Sequence, residues 1–259
     1  MNTRTWARFF EIYEALPRGG PGDPESARRA IGLMTSLPAQ PRVLDLGCGP
    51  GRSSASLAAL TGGRITALDL HLPFVAGQLA AARRERRAGC VLPVCADMSA
   101  APFADGSFDL VWSEGALYSI GFRQGLEACR RLVSPGGYIA VSEAAWTVPD
   151  PPEEVHRWWT TEYPDMASIE EKAAIVAAAG FDIVGHFTLP AIAWWEHYYV
   201  PLRERVGALR AAWAGEEAGP GVIAQLDTEI AMYERWGHTY SYEFFVARPG
   251  TGCDATFQA

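Results

Sequence analysis

Between Val43 and Ser54 the chain reads VLDLGCGPGRSS. An apolar run ends at Leu46, glycines follow at Gly47, Gly49 and Gly51, and helical spacing begins near Arg52. Glycines at such a turn admit φ > 0 and let a ligand approach the backbone. The helix start behind them offers free N–H groups. Taken alone, the turn could serve a dinucleotide or be only a tight turn. Three further features narrow the chemistry. Asp45 stands just before the glycines, where its charge would repel a pyrophosphate and hold a cationic amino group. The spacing is GxGxG, not the GxGxxG of pyrophosphate binders. Asp69 closes the next apolar run, about 20 residues on, where an acid takes ribose hydroxyls. Asp97 and Met98 close the third, where a carboxylate and an apolar side chain could read an adenine amine and ring face.

These residues need a scaffold that brings strand ends together. Residues 42–46, 65–70, 91–96, 108–112 and 137–142 read as strands. Residues 52–60, 73–87 and 122–132 have helical spacing between them. The alternation predicts βαβ units and a parallel sheet buried on both faces, with ligands at the carboxyl ends of the strands. After Ala144 the pattern changes to a stretch rich in Pro, Trp and acids. Residues 169–179 read as a helix stopped by Gly180, and residues 181–189 and 239–247 as two further strands. Residues 190–238 are too many for a loop in a compact domain. With residues 145–168 they read as insertions covering one end of the sheet, with helices near 196–213 and 220–236. The first residues, MNTRTWARFFEIYEALP, predict an amphipathic helix rather than a secretion signal.

Composition removes other classes. The chain has 259 residues, 49% hydrophobic and 20% charged, enough for a core in one domain. The net charge of −8 argues against a nucleic-acid partner, which calls for a basic face. The run Arg83–Arg87 (RRERR), at the end of a predicted helix, reads as a solvated face. No stretch approaches the roughly 20 apolar residues of a membrane span. The five cysteines lack CxxC spacing and the five histidines lack ligand spacing. No metal or disulfide framework is expected, and a reducing cytoplasm is. Lys172 is the only lysine, which fits a compositional bias toward arginine.

DLGCGPG, Asp69, CADM and the run FDLVWSEGALYSIGF…LVSPGGYIAVSE resemble the class I S-adenosylmethionine-dependent methyltransferases over residues 42–143. RGGPGD (residues 18–23), SEGALYSIGF and the strand SYEFFV are similar to a group of bacterial small-molecule methyltransferases. The resemblance implies a Rossmann-like α/β fold: a seven-stranded, mostly parallel sheet with an antiparallel last strand. It implies that Asp45, Gly47 and Gly49 line the methionine end of the cofactor and that Asp69 faces the ribose, with Cys48 and Leu70 also in the cofactor site. Asp97 and Met98 would face the adenine, Ser113 and Glu114 the methionyl amine, and residues 18–23 would form a lid.

Methyl transfer is an in-line displacement that depends on proximity, alignment and exclusion of water. A base is needed only if the acceptor must lose a proton. Glu143 could attract a cationic amine or act as that base, Tyr118 could orient the acceptor, and His197 is the histidine within the aromatic insertion. The nine tryptophans offer a location for specificity. Trp146, Tyr163, Trp194 and Tyr198 could form an aromatic cage for a planar or cationic acceptor, or close the small core of the cover. Adjacent aromatics such as Trp158 and Trp159 cannot face the same way on a helix, so one of each such pair is expected to pack. Two rivals remain open: a binding protein that senses S-adenosylmethionine without catalysis, and an NAD-dependent dehydrogenase, against which Asp45 and the GxGxG spacing speak.

Overall fold

Five apolar runs become the parallel part of one sheet: β1 (Arg42–Leu46), β2 (Arg64–Asp69), β3 (Val91–Cys95), β4 (Phe108–Glu114) and β5 (Val133–Trp146). The computed structural model describes residues 3–84 and 89–250. The strands lie in the order β3-β2-β1-β4-β5, each parallel to its neighbours. The order reverses between β1 and β4, the crevice where open α/β sheets bind ligands. A short β6 (Ala167–Ser168) pairs the far end of β5. β8 (Tyr240–Pro249) inserts between β5 and β7 (Phe181–Thr188), antiparallel to both, as expected of the last strand. One strand differs from expectation. β5 runs on to Trp146 because β8 pairs it all the way, from Ile139 opposite Ala247 to Trp146 opposite Tyr240. Its carboxyl end therefore projects Glu143 and Trp146 beyond the parallel strands.

The helices are α1 (Thr3–Tyr13), α2 (Pro24–Gly32), α3 (Arg52–Thr61), α4 (Leu72–Arg84), α5 (Phe122–Leu132), α6 (Glu153–Glu162), α7 (Ile169–Ala178), α8 (Ala191–Trp194), α9 (Val200–Arg210) and α10 (Gly219–Trp236). Strand residues alternate between faces. Val43, Leu110, Trp112 and Tyr138 pack on Ala27 and Ala30 of α2 and Leu57 of α3. Leu44, Leu46, Val111 and Ile139 pack on Phe122, Leu126 and Cys129 of α5 and Val176 of α7. Local signals set the helix ends. Asp23 accepts the N–H groups of Glu25 and Ser26 with Pro24 in the first turn of α2, a cap worth about 1 kcal/mol. Ser168 and Glu171 form a reciprocal capping box on α7.

A third core lies over the carboxyl ends of the strands. It joins Ile12 and Tyr13 of α1, Val155 of α6, Trp194 of α8, Leu202 and Val206 of α9 and Leu226, Ile230 and Tyr233 of α10 to Trp146 and Tyr240 at the strand ends. The helix expected near residue 196 begins earlier, at Ala191. It passes from α8 through one wide turn, Trp195–Tyr199, into α9, with Val200 N–H bonded to Trp195 O five residues back. Among the described residues no helix is long and apolar enough to cross a membrane. Residues 85–87 of the arginine-rich run and the tail beyond residue 250 lie outside the described residues.

Candidate active site

The chain leaves β1 and turns back on itself, with the N–H groups of Gly47 and Cys48 both bonded to Leu68 O at 2.9 and 3.0 Å. Gly47, Gly49 and Gly51 have φ of 70°, 54° and 95°, a region closed to most side chains. A Cβ on Gly47 would run into Ala116 and approach Met98, and one on Gly51 would run into Gln78. The loop is thus a bare backbone cradle. Gln78, on α4, was not visible as a site residue in the sequence. Its Nε2 donates to Gly49 O at 2.8 Å and to Cys48 Sγ at 2.9 Å, pinning the loop from beneath. Burial pushes the Cys48 thiol well above its usual range, so this side chain packs rather than reacts.

Four acids stand around the cradle, each held differently. Asp45 is buried and accepts Ser54 Oγ at 2.6 Å. One such bond is worth roughly 1.5–3 kcal/mol, less than the several kcal/mol that desolvation of a carboxylate costs. Burial accordingly pushes this carboxyl up to about 7, against Ser54 and the more distant Arg18. Asp69 accepts the backbone N–H of Gly49 and of His71, each at 2.8 Å, tying the glycine loop to the start of α4. Asp97 is exposed, and Ser99 Oγ and N–H hold its carboxyl below the usual range. Leu70 beside Asp69 is 69% exposed, an apolar face left bare at a strand end, with Met98 partly exposed nearby. Glu114 accepts Trp112 Nε1 at 2.9 Å and pairs with Arg18. The Ser113 hydroxyl is committed to Leu46 O at 2.9 Å, so it links two strands.

The RGGPGD segment lies across this end of the sheet. Gly19 touches the loop near Pro50, and a Cβ on Gly22 would run into the Arg18–Glu114 pair. Gly22 N–H donates to Ala193 O of α8 at 3.2 Å. Asp23 is spent on capping α2, so Arg18 is the residue of the segment that faces the site. Arg18 also reaches Ser53 Oγ at 3.2 Å, while its buried Nε has no partner. α1 closes from the other side. Phe10 stacks on His71 at 3.8 Å, and His71 Nε2 lies 2.7 Å from Glu14 Oε1.

Above the cradle, Glu143 is 1% exposed and its Oε2 has no hydrogen-bond partner. Burial pushes its carboxyl up to about 7, against Lys172, the Tyr163 hydroxyl and the Ala144 N–H. Lys172 is itself fully buried and donates to Tyr163 OH at 2.7 Å. Tyr118 is 51% exposed and meets Tyr163 edge-on, with ring centroids 6.0 Å apart. Tyr198 is buried, its hydroxyl 2.8 Å from Tyr13 OH. Trp194 is covered by Tyr233, Tyr240 and Tyr242, with its indole N–H on Ser241 Oγ at 2.9 Å. Trp146 is buried, stacked on His156 and edge-on to Tyr240. These two indoles close the core of the cover instead of lining an opening. Trp194 and Trp195 both stack on Tyr233, so neighbouring aromatics do share a partner here. His197, half-buried, makes no hydrogen bond, ion pair or ring contact among the described residues, and nothing draws it into the cluster.

The sheet agrees with the fold of similar proteins. A family model described as a methyltransferase domain matches residues 44–141. Malonyl-[acyl-carrier protein] O-methyltransferase of Enterobacter lignolyticus is 33% identical over 189 residues, which are 71% of this chain and 68% of that protein. A SAM-dependent methyltransferase from Geobacter sulfurreducens, solved with S-adenosyl-L-homocysteine, shares the fold with a TM-score of 0.78 at 24% identity, over 94% of this chain and 98% of that one. YjhP from E. coli shares it with a TM-score of 0.80 at 19% identity, over 93% and 99%. The chain belongs to the class I S-adenosylmethionine-dependent methyltransferases.

Proposed function

We propose that the chain transfers a methyl group to a small-molecule acceptor held between the strand ends and the helical cover. The carrying observation is Asp45, a buried carboxylate beside a glycine turn in which Gly47, Gly49 and Gly51 all take positive φ. The residues present fit S-adenosylmethionine. Asp45 and Glu114, with the backbone of Gly47, Cys48, Gly49 and Ser113, would hold its cationic methionyl amine. The unpartnered Arg18 Nε would meet its carboxylate. Asp69 would take the ribose hydroxyls, Leu70 and Met98 the adenine faces, and Asp97 the adenine amine. Bound there, the cofactor supplies a methyl on a positively charged sulfur, open to in-line displacement.

The rest is the work of this chain. Tyr118 and Tyr242 stand at the end of β4, Tyr242 so close that a Cβ on Gly115 would run into it. They bound the space the acceptor must enter. Glu143, with a bare Oε2 and a carboxyl near 7, can take a proton from an acceptor that must lose one. Tyr163 and Lys172 orient it. α1 and the cover keep water out, which strengthens each of these interactions. Titration calorimetry with S-adenosylhomocysteine tests the cofactor half. Wild type should bind, and Asp69→Ala should bind at least tenfold more weakly. A wild type that gives no heat of binding would refute the reading.

A further inference from the structure

Glu229, itself partly exposed, sits on α10 among the buried Val222, Leu226, Ile230 and Tyr233. An acid at such a position needs a reason, because an unpaired charge there is costly. Two hydroxyls answer it. Tyr198 and Tyr199 both donate to Glu229 Oε1, at 3.2 and 3.3 Å, and Tyr13 OH lies 2.8 Å behind Tyr198 OH. No ion pair to Glu229 exists among the described residues. Its Oε2 takes no hydrogen bond among the described residues. The charge of Glu162, of the same sign, also acts on it.

Tyr118 and Tyr242 join this corner to the site. Each feels the charge of Glu229 and also that of Glu143, and Tyr118 meets Tyr163, the partner of Lys172, edge-on at 6.0 Å. Tyr242 abuts Gly115 at the end of β4, and Tyr118 keeps half its surface free. Three buried polar atoms, Glu143 Oε2, Tyr240 OH and Trp159 Nε1, have no partner here. The one buried ammonium, Lys172, is tied to Tyr163 on the Glu143 side. The cluster therefore joins phenols and two carboxylates to a single ammonium, which lies on the Glu143 side.

Resting on the methyltransferase reading for where the acceptor enters, we infer that Glu229 and the surrounding phenols are the subsite for a positively charged nitrogen of the acceptor, so that the substrate class is small organic ammonium compounds. A cation here supplies the countercharge that Glu229 lacks and gains the attraction of aromatic faces. An anionic acceptor would meet two carboxylates. Burial already pushes the Glu229 carboxyl up to about 7 in the absence of a cation, against its two phenol donors.

The test compares choline with its uncharged isostere 3,3-dimethylbutan-1-ol by titration calorimetry, with and without saturating S-adenosylhomocysteine. Wild type should bind choline at least tenfold more tightly than the alcohol. Glu229→Gln should erase that preference while S-adenosylhomocysteine binding stays as in wild type. Should Glu229→Gln fail to fold, Tyr199→Phe should still lower the preference severalfold. Equal binding of the two probes by wild type, or a preference that survives Glu229→Gln, overturns the inference. A wild type that discriminates the probes but does not bind S-adenosylhomocysteine overturns the cofactor reading and leaves this one standing.

Discussion

The floor and the roof of the site hold their acids by different means. On the floor, Asp69 and Asp97 lean on backbone N–H groups of Gly49, His71 and Ser99. On the roof, Glu143 and Glu229 depend mainly on side chains brought from α1, α7, the Trp195–Tyr199 turn and the segment after α6. Backbone donors keep their place whatever residue occupies the position, so the floor suits a ligand that does not vary. Side-chain donors can be exchanged one residue at a time, so the roof suits the partner that differs between enzymes sharing one cofactor. Asp45 is intermediate, buried like the roof acids yet held by a hydroxyl of the helix that follows its own loop.

Three measurements would break or sharpen this contrast. Lys172→Met should have the largest effect. It leaves Glu143 buried with its nearest countercharge gone, and the loss of one partner from such a pair costs about 3–5 kcal/mol. Urea denaturation at pH 8 should show that loss, and at pH 5, where Glu143 is protonated, the loss should shrink. An equal loss at both pH values would mean that Lys172 serves packing alone.

A smaller effect concerns acid and base. Asp45, Glu143 and Glu229 are all raised from ordinary carboxylate values to about 7. A carboxyl raised in the fold binds its proton more tightly folded than unfolded. Its contribution to stability is complete below about pH 4 and is lost as pH rises to about 7. The Tm of the ligand-free protein should therefore fall between pH 5 and pH 8. Glu143→Gln should flatten that fall, and an unchanged slope would show that Glu143 does not titrate in this range. The smallest effect belongs to the floor. Ser99→Ala removes one of the two donors to Asp97 and leaves the backbone one at 2.8 Å. S-adenosylhomocysteine affinity should change less than threefold, and a tenfold loss would place the floor among side-chain-held sites too.

The same contrast decides what could be read from the sequence. The cradle was legible because glycines at Gly47, Gly49 and Gly51 leave a local pattern, and Asp69 and Asp97 follow the strands that carry them. The sheet followed from alternating apolar runs, save for the far end of β5, whose pairing with β8 involves residues about a hundred positions away. The roof left no such pattern. Tyr13, Tyr163, Lys172 and Glu229 are scattered along the chain and meet only after folding. One signal for Glu229 was available: it interrupts the apolar spacing of Val222, Leu226, Ile230 and Tyr233, and an acid on such a stripe calls for partners. Indoles close the cover's core, as their second reading allowed, while tyrosines, with a hydroxyl to donate, reach the carboxylates.

The wide turn Trp195–Tyr199 has a consequence for how this helix tolerates change in length. On a regular helix, neighbouring side chains diverge by about 100°, yet Tyr198 and Tyr199 both reach one oxygen of Glu229. The bond from Val200 N–H to Trp195 O takes up one residue more than an ordinary turn. That residue works as a phase shifter. Deleting it would rotate α9 by about 100° against α8, swing Leu202 and Val206 out of the core, and part the two phenols. A point substitution in this turn removes one contact, whereas a one-residue deletion would retune the roof as a whole.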